Sequence, residues 1–140
     1  MTRYDARWVL PIGSPPIHHG WVCVDRGRVV ALGKRSPTDV SRGDDLGDVA
    51  IMPGLVNAHT HLELSYLADA VGPAPSFVSW VRTLMSLRRQ HADPEAAYIR
   101  AAVERAIGES LAFGTALVGD ISNTLSTIEP LGRKIGRAHV

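Results

Sequence analysis

The spacing of apolar residues changes near residue 53. Before that point, short apolar runs alternate with turns. Residues 7–10 are one brief run, and residues 11–20, with three prolines and two glycines, predict a loop. Residues 21–25 and 28–32 are rich in Val and separated by Arg26-Gly27. That is a hairpin signal in which Gly27 can take a positive φ. Residues 33–47 are polar and turn-rich, and residues 50–52 begin another extended run.

Past Pro53-Gly54 the pattern becomes strand, helix, helix, strand. Residues 55–58 form a short apolar run followed at once by His59-Thr60-His61, which reads as a buried strand ending in polar residues. Pro73 and Pro75 make a rigid approach to Ser76, a helix-capping residue. Phe77, Trp80, Val81, Leu84 and Leu87 then recur at helical spacing, with Arg82, Arg88 and Arg89 on the polar face. Phe77 and Trp80 are candidates to wall a pocket, but their helical spacing favours core packing. Asp93-Pro94-Glu95 predicts a second helix start, Ala97, Ala101, Ile107 and Leu111 lie within that helix, and Gly114 is expected to end it. Residues 115–118 form a last apolar run ending at Gly119-Asp120. This order is the βαβ grammar of a parallel sheet.

Composition narrows the function classes. The chain has 140 residues, is 45% hydrophobic and 21% charged, and carries a formal net charge of +1, so no basic field points to nucleic acid. Arg3, Asp5 and Arg7 interrupt the N-terminus before any signal-peptide core could form, and no apolar stretch reaches membrane-spanning length. Cys23 is the single cysteine, which excludes an internal disulfide and fits a reducing compartment. The expectation is a cytoplasmic protein with a small-molecule substrate and neither nucleic acid nor membrane as partner.

His59 and His61 carry the sharpest chemistry. Alternate residues of a strand point to one side, so an extended segment from 55 to 61 would aim both imidazoles the same way. Two imidazoles at a strand end can bind one divalent metal, without selecting which. His-x-His alone more often marks surface histidines, and it is the preceding strand and Pro-Gly that raise its weight.

The run Pro53-Gly54-Leu55-Val56-Asn57-Ala58-His59-Thr60-His61-Leu62-Glu63 resembles the strand-one motif of the amidohydrolase superfamily. The nearest likeness is to its cytosine deaminase, chlorohydrolase and S-adenosylhomocysteine deaminase-like branch. Trp8-Val9-Leu10-Pro11-Ile12, Gly20-Trp21-Val22 and residues 27–33 resemble the β-sandwich preceding the barrel there, and residues 114–120 resemble barrel strand two. The resemblance implies an α/β fold: a small β-sandwich segment over residues 1–52, then the first βα units of a metal-dependent hydrolase (β/α)8 barrel over residues 53–134. Since such a barrel takes about 250 residues, the chain is expected to be truncated, an N-terminal fragment. The resemblance further implies one divalent metal ion, zinc first and iron second, held by His59 and His61 with a later His and Asp. It implies a metal-activated hydroxide attacking a carbon that bears an amine, amide nitrogen or halide. The catalytic acid and base belong to later strands, so no catalytic residue is assigned in this fragment, which is expected to be inactive alone. Homo-oligomers are common among relatives.

Three other positions near the motif merit weight. Glu63 shares the side of His61 and is a candidate substrate-binding carboxylate, or equally a structural one. Asn57 can hydrogen-bond behind the histidines. Asp120 ends the second strand, where facing the site competes with a turn or cap role. His18 and His19 are expected to be solvent-exposed, and His91, near a helix end, to be a surface residue. The leading reading is a hydrolase of non-peptide C–N bonds, an aminohydrolase of a heterocyclic or purine-like amine. The alternatives are an amidase or chlorohydrolase of the same superfamily, or a non-catalytic β-rich module with a structural histidine pair. Residues 135–140 fit none of these patterns and match one reading frame of a widely used sequencing adapter (ATC GGA AGA GCA CAC GTC). They are expected to be a non-native tail, in which case His139 has no functional meaning.

Overall fold

The computed structural model describes residues 1–39, 43–91 and 93–138; His139 and Val140 of the expected tail lie outside the described residues. The chain divides into two compact units, Met1–Pro53 and Gly54–Val140.

The first unit is a five-stranded sheet built around β1 (Thr2–Val9). On one edge β1 pairs antiparallel with β2 (Ile17–Asp25), which pairs antiparallel with β3 (Arg28–Lys34). On its other edge β1 takes two short parallel partners in turn, β4 (Asp44–Asp45) and β5 (Ala50–Ile51). The hairpin between β2 and β3 turns through Arg26 and Gly27, with φ of 48° and 74°. Two successive positive φ values give the turn hand that matches strand twist.

One expectation is corrected here: residues 17–20, read as loop, belong to β2. Strand β1 begins at Thr2, ahead of the apolar run at 7–10, and among the described residues the strands of this unit form one sheet. The start of β1 carries Arg3 and Asp5, which interrupt its apolar pattern. Both are partnered. Arg3 donates to Asp5 at 2.8 Å and to Asp39 at 2.8 Å, and its guanidinium lies 4.8 Å from the Trp21 ring centre. The Asp5 carboxylate also accepts from the Gly43 N–H at 2.9 Å.

Burial pushes the Asp5 carboxyl upward, but the Arg3 hydrogen bond, the Gly43 N–H and the charges of Arg3 and Arg35 outweigh it and hold it below its ordinary value. A carboxyl depressed on folding stabilises the folded state above its unfolded pKa of about 3.9. That contribution is lost as pH falls through the lower folded value. Acid unfolding followed by circular dichroism is therefore expected to be less steep below about pH 4 in Asp5→Asn, which is already destabilised at neutral pH.

The second unit holds a parallel sheet in the order β6 (Leu55–Thr60), β7 (Thr115–Asp120), β8 (Gly136–Ala138). The pairing of β8 with β7 uses backbone groups, which any residues supply whatever their origin. A 3-10 turn (Leu62–Leu67), α1 (Phe77–Arg89) and α2 (Ala97–Ala112) separate β6 from β7, and α3 (Ile128–Lys134) precedes β8. Ser76 caps α1 as expected, its side chain accepting from the Ser79 N–H at 3.2 Å. Asp93 instead accepts from Glu95 N–H at 2.9 Å in a turn, and α2 starts later, at Ala97.

The core is a cluster of Leu62, Val103, Ile107, Val118 and Leu131, with Ala106 and Ile135 against it. Ile99, Ala102, Val103 and Ile107 share one stripe of α2 and are all buried. The apolar face of α1 is only partly covered: Val81, Leu84 and Leu87 are half-buried, but Phe77 is 76% exposed and stacks beside the exposed Trp80, so the core packing expected of those two residues is absent among the described residues. Likewise β6 is not the buried strand expected, with Leu55 and Val56 half or more exposed. Periodicity finds a helix or strand but not which elements cover it.

Candidate metal centre

The two histidines converge at the C-terminal end of β6. Their Nε2 atoms lie 3.2 Å apart and their rings stand nearly perpendicular, at 80°. Simple alternation along a strand does not explain this, because β6 ends at Thr60 and His61 has left it, with φ −129° and ψ 68°. Two local features do. Between the pairs Asn57↔Val118 and Thr60↔Asp120, β6 advances three residues while β7 advances two. An extra residue of this kind bends a strand and re-aims its side chains. Gly119 sits opposite the irregularity, where a Cβ would stand 2.6 Å from the Ala58 carbonyl oxygen, so only glycine admits this approach. The Asn57 side chain accepts from the His59 N–H at 3.2 Å within the same segment.

Three consecutive residues then clip the end of β6 to the end of β7. His61 Nδ1 lies 2.9 Å from the Ile121 carbonyl oxygen. A carbonyl only accepts, so this contact places the proton on Nδ1 and leaves the Nε2 lone pair facing His59. The Leu62 N–H donates to Asp120 at 2.9 Å, and the buried Thr127 hydroxyl donates to the other Asp120 oxygen at 2.6 Å. Asp120 thus holds the start of the 3-10 turn and the approach to α3.

Glu63 is 4% exposed and takes six donors. Oε2 accepts from Ser122 Oγ (3.0 Å), Asn123 N (3.0 Å), Thr124 N (2.9 Å) and Thr124 Oγ1 (2.7 Å). Oε1 accepts from Asn123 Nδ2 (3.0 Å) and Arg88 (3.2 Å). Burial raises this carboxyl, but the hydrogen bonds from Asn123 and Thr124 more than compensate and bring it to about 2. It is ionised at neutral pH.

The histidine pair fits a metal. Zinc–imidazole bonds of about 2.0–2.1 Å at a tetrahedral angle span roughly 3.3 Å between nitrogens, against the 3.2 Å here. A second nitrogen hydrogen-bonded to a carbonyl is the usual support of a ligating imidazole. Among the described residues no group of three or more His, Cys, Asp or Glu is placed to hold a metal, so the pair supplies two donors only. Of the other histidines, His18 and His19 are exposed on β2, and His91 Nδ1 lies 2.6 Å from the Tyr98 hydroxyl after α1. Sequence reasoning missed the Ser122-Asn123-Thr124 segment as the partner of Glu63. Its only signal was a cluster of donor residues after Gly119-Asp120.

No protein-family model matches the chain. A 5-methylthioadenosine/S-adenosylhomocysteine deaminase of Nitratidesulfovibrio vulgaris (strain Hildenborough) is 35% identical over 88 residues, covering 58% of this chain and 17% of the relative. The enzyme of the same name from Lawsonia intracellularis is 28% identical over 83 residues, covering 56% and 19%. Among solved structures, Helicobacter pylori aminofutalosine deaminase in complex with methylthio-coformycin aligns with a TM-score of 0.78 at 23% identity, over 99% of this chain and 34% of that one. Atrazine chlorohydrolase from Arthrobacter aurescens TC1 complexed with zinc aligns at 0.76 and 22% identity, over 99% and 35%. The chain therefore spans under a fifth of the length of these two curated relatives and about a third of the solved chains.

Proposed function

We propose that this chain, a member of the amidohydrolase superfamily, contributes the first two metal ligands, His59 and His61, of a metal-dependent hydrolase of non-peptide C–N bonds. The observation that carries the reading is the pair of Nε2 atoms 3.2 Å apart, with His61 oriented by the Ile121 carbonyl. Zinc is the favoured ion, since the chlorohydrolase neighbour is a zinc complex and the donors are imidazoles. A divalent ion bound there supplies a water-derived nucleophile near neutral pH. His59 and His61 hold that ion, and the Ile121 carbonyl keeps the His61 lone pair turned toward it. The fold in which they act is the beginning of a (β/α)8 barrel, where chemistry sits at the C-terminal ends of strands such as β6. Remaining ligands and the proton-transfer groups come from beyond the described residues.

The substrate class is an amine on a purine-like ring. The curated relatives share a deaminase name, which favours an amine leaving group over the halide of the chlorohydrolase neighbour. The place of action is proposed as the cytoplasm; among the described residues no helix is long and apolar enough to cross a membrane. The test is ammonia release from adenosine-type nucleosides by the full-length protein loaded with zinc. Release that stops on chelation and returns with added zinc is expected. A protein that binds the metal but liberates no ammonia from any purine-type amine would remove the deaminase reading.

A further inference from the structure

We infer that Glu63 is a positioning residue for His61, acting through the segment that follows β7. This rests on the reading of His61 as a metal ligand. The geometry forms a short closed circuit. His61 donates from Nδ1 to the Ile121 carbonyl at 2.9 Å. The next three residues, Ser122, Asn123 and Thr124, supply five of the six hydrogen bonds to Glu63. Glu63 returns the circuit to His61 two residues along the 3-10 turn.

An imidazole turns freely about its last side-chain torsion unless a hydrogen bond stops it. Here one carbonyl does so, and its place depends on what anchors the residues after it. The Thr124 and Asn123 N–H groups point at the Glu63 carboxylate, so the segment leaves Ile121 in one direction only. Arg88, 3.2 Å away on α1, partners the buried charge from the other side. Six donors exceed the roughly four lone-pair positions of a carboxylate. With 4% exposure, Glu63 keeps no acceptor free for a substrate. Its role is exerted on the protein.

The experiment uses the full-length protein in wild-type, Glu63→Gln and Glu63→Ala forms. Imidazole ¹⁵N NMR on metal-free protein reads the tautomer of His61, and zinc titration against a competing chelator reads affinity. In the wild type His61 is expected to carry its proton on Nδ1. Glu63→Ala is expected to give mixed tautomers and zinc affinity about 10–100-fold weaker, the range for lost support behind a ligand. Glu63→Gln keeps one oxygen for the Asn123 and Thr124 N–H groups and should recover part of both; it also serves if Glu63→Ala does not fold. Unchanged tautomer and affinity in both variants, with only a lower melting temperature or a raised KM, would overturn the inference. A wild type with the Nδ1 proton in place but no zinc binding would instead sink the metal reading.

Discussion

Replacing His59 by alanine is expected to weaken zinc binding by the full-length protein more than about 100-fold, beyond the top of the range reached by losing support behind a ligand. In the proposed site the two imidazoles act as one chelating unit, because the bulge in β6 and the exit of the chain at His61 bring their Nε2 atoms to 3.2 Å. With one gone, His61 is still oriented by Ile121 but has lost the imidazole beside it. The fold should survive. His59 is exposed, and the contact it loses is a single hydrogen bond worth about 1 kcal/mol or less at such a position. His61→Ala should match it in metal loss. His91→Ala should not, since His91 contacts Tyr98. Metal analysis beside thermal melting separates these cases. Zinc retained at wild-type affinity in His59→Ala would contradict the assignment of the pair.

The largest stability loss is expected at Ile107. Its side chain is 1% exposed and sits in the cluster that joins α2 to Leu62, Val118 and Leu131. Truncating a buried Ile to Ala removes apolar transfer energy and leaves a cavity, together costing about 2–5 kcal/mol. Against a typical domain stability of about 5–15 kcal/mol, that is a large share. Leu62 follows His61 directly and Val118 precedes Gly119, so the loss falls on the elements that hold the site. Urea unfolding of Ile107→Ala should show a lower midpoint with an unchanged slope. Phe77→Ala is the contrast: at 76% exposure it should change stability by about 0.5 kcal/mol or less. Equal losses at both positions would mean that the core lies elsewhere.

Most elements were legible from the residues. The hairpin at Arg26-Gly27, the Ser76 cap, the end of α2 before Gly114 and both strands of the βαβ unit follow from local preferences. The misreadings share a cause. The apolar pattern of β1 is interrupted by Arg3 and Asp5, whose burial depends on Asp39 and Gly43, more than thirty residues away. The helical spacing of Phe77 and Trp80 on α1 and the apolar run of β6 predicted burial, yet burial needs a partner surface. Glu63 pointed equally to substrate or to structure, because its donors lie 59 to 61 residues along the chain, apart from Arg88.

What the sequence determined by itself is the chemistry available: two imidazoles separated by one residue after Pro-Gly and an apolar run, in a motif that resembles one superfamily. Turn residues, caps and apolar periodicity act over a few residues, so they can be read from a few residues. Only the tertiary structure decided that the imidazoles meet, that Ile121 orients one of them, and that Glu63 and Asp120 bind the protein. Those outcomes depend on the parallel register of β6 against β7, and on the close approach at Gly119. Register is a property of two distant segments at once, and neither segment carries it alone.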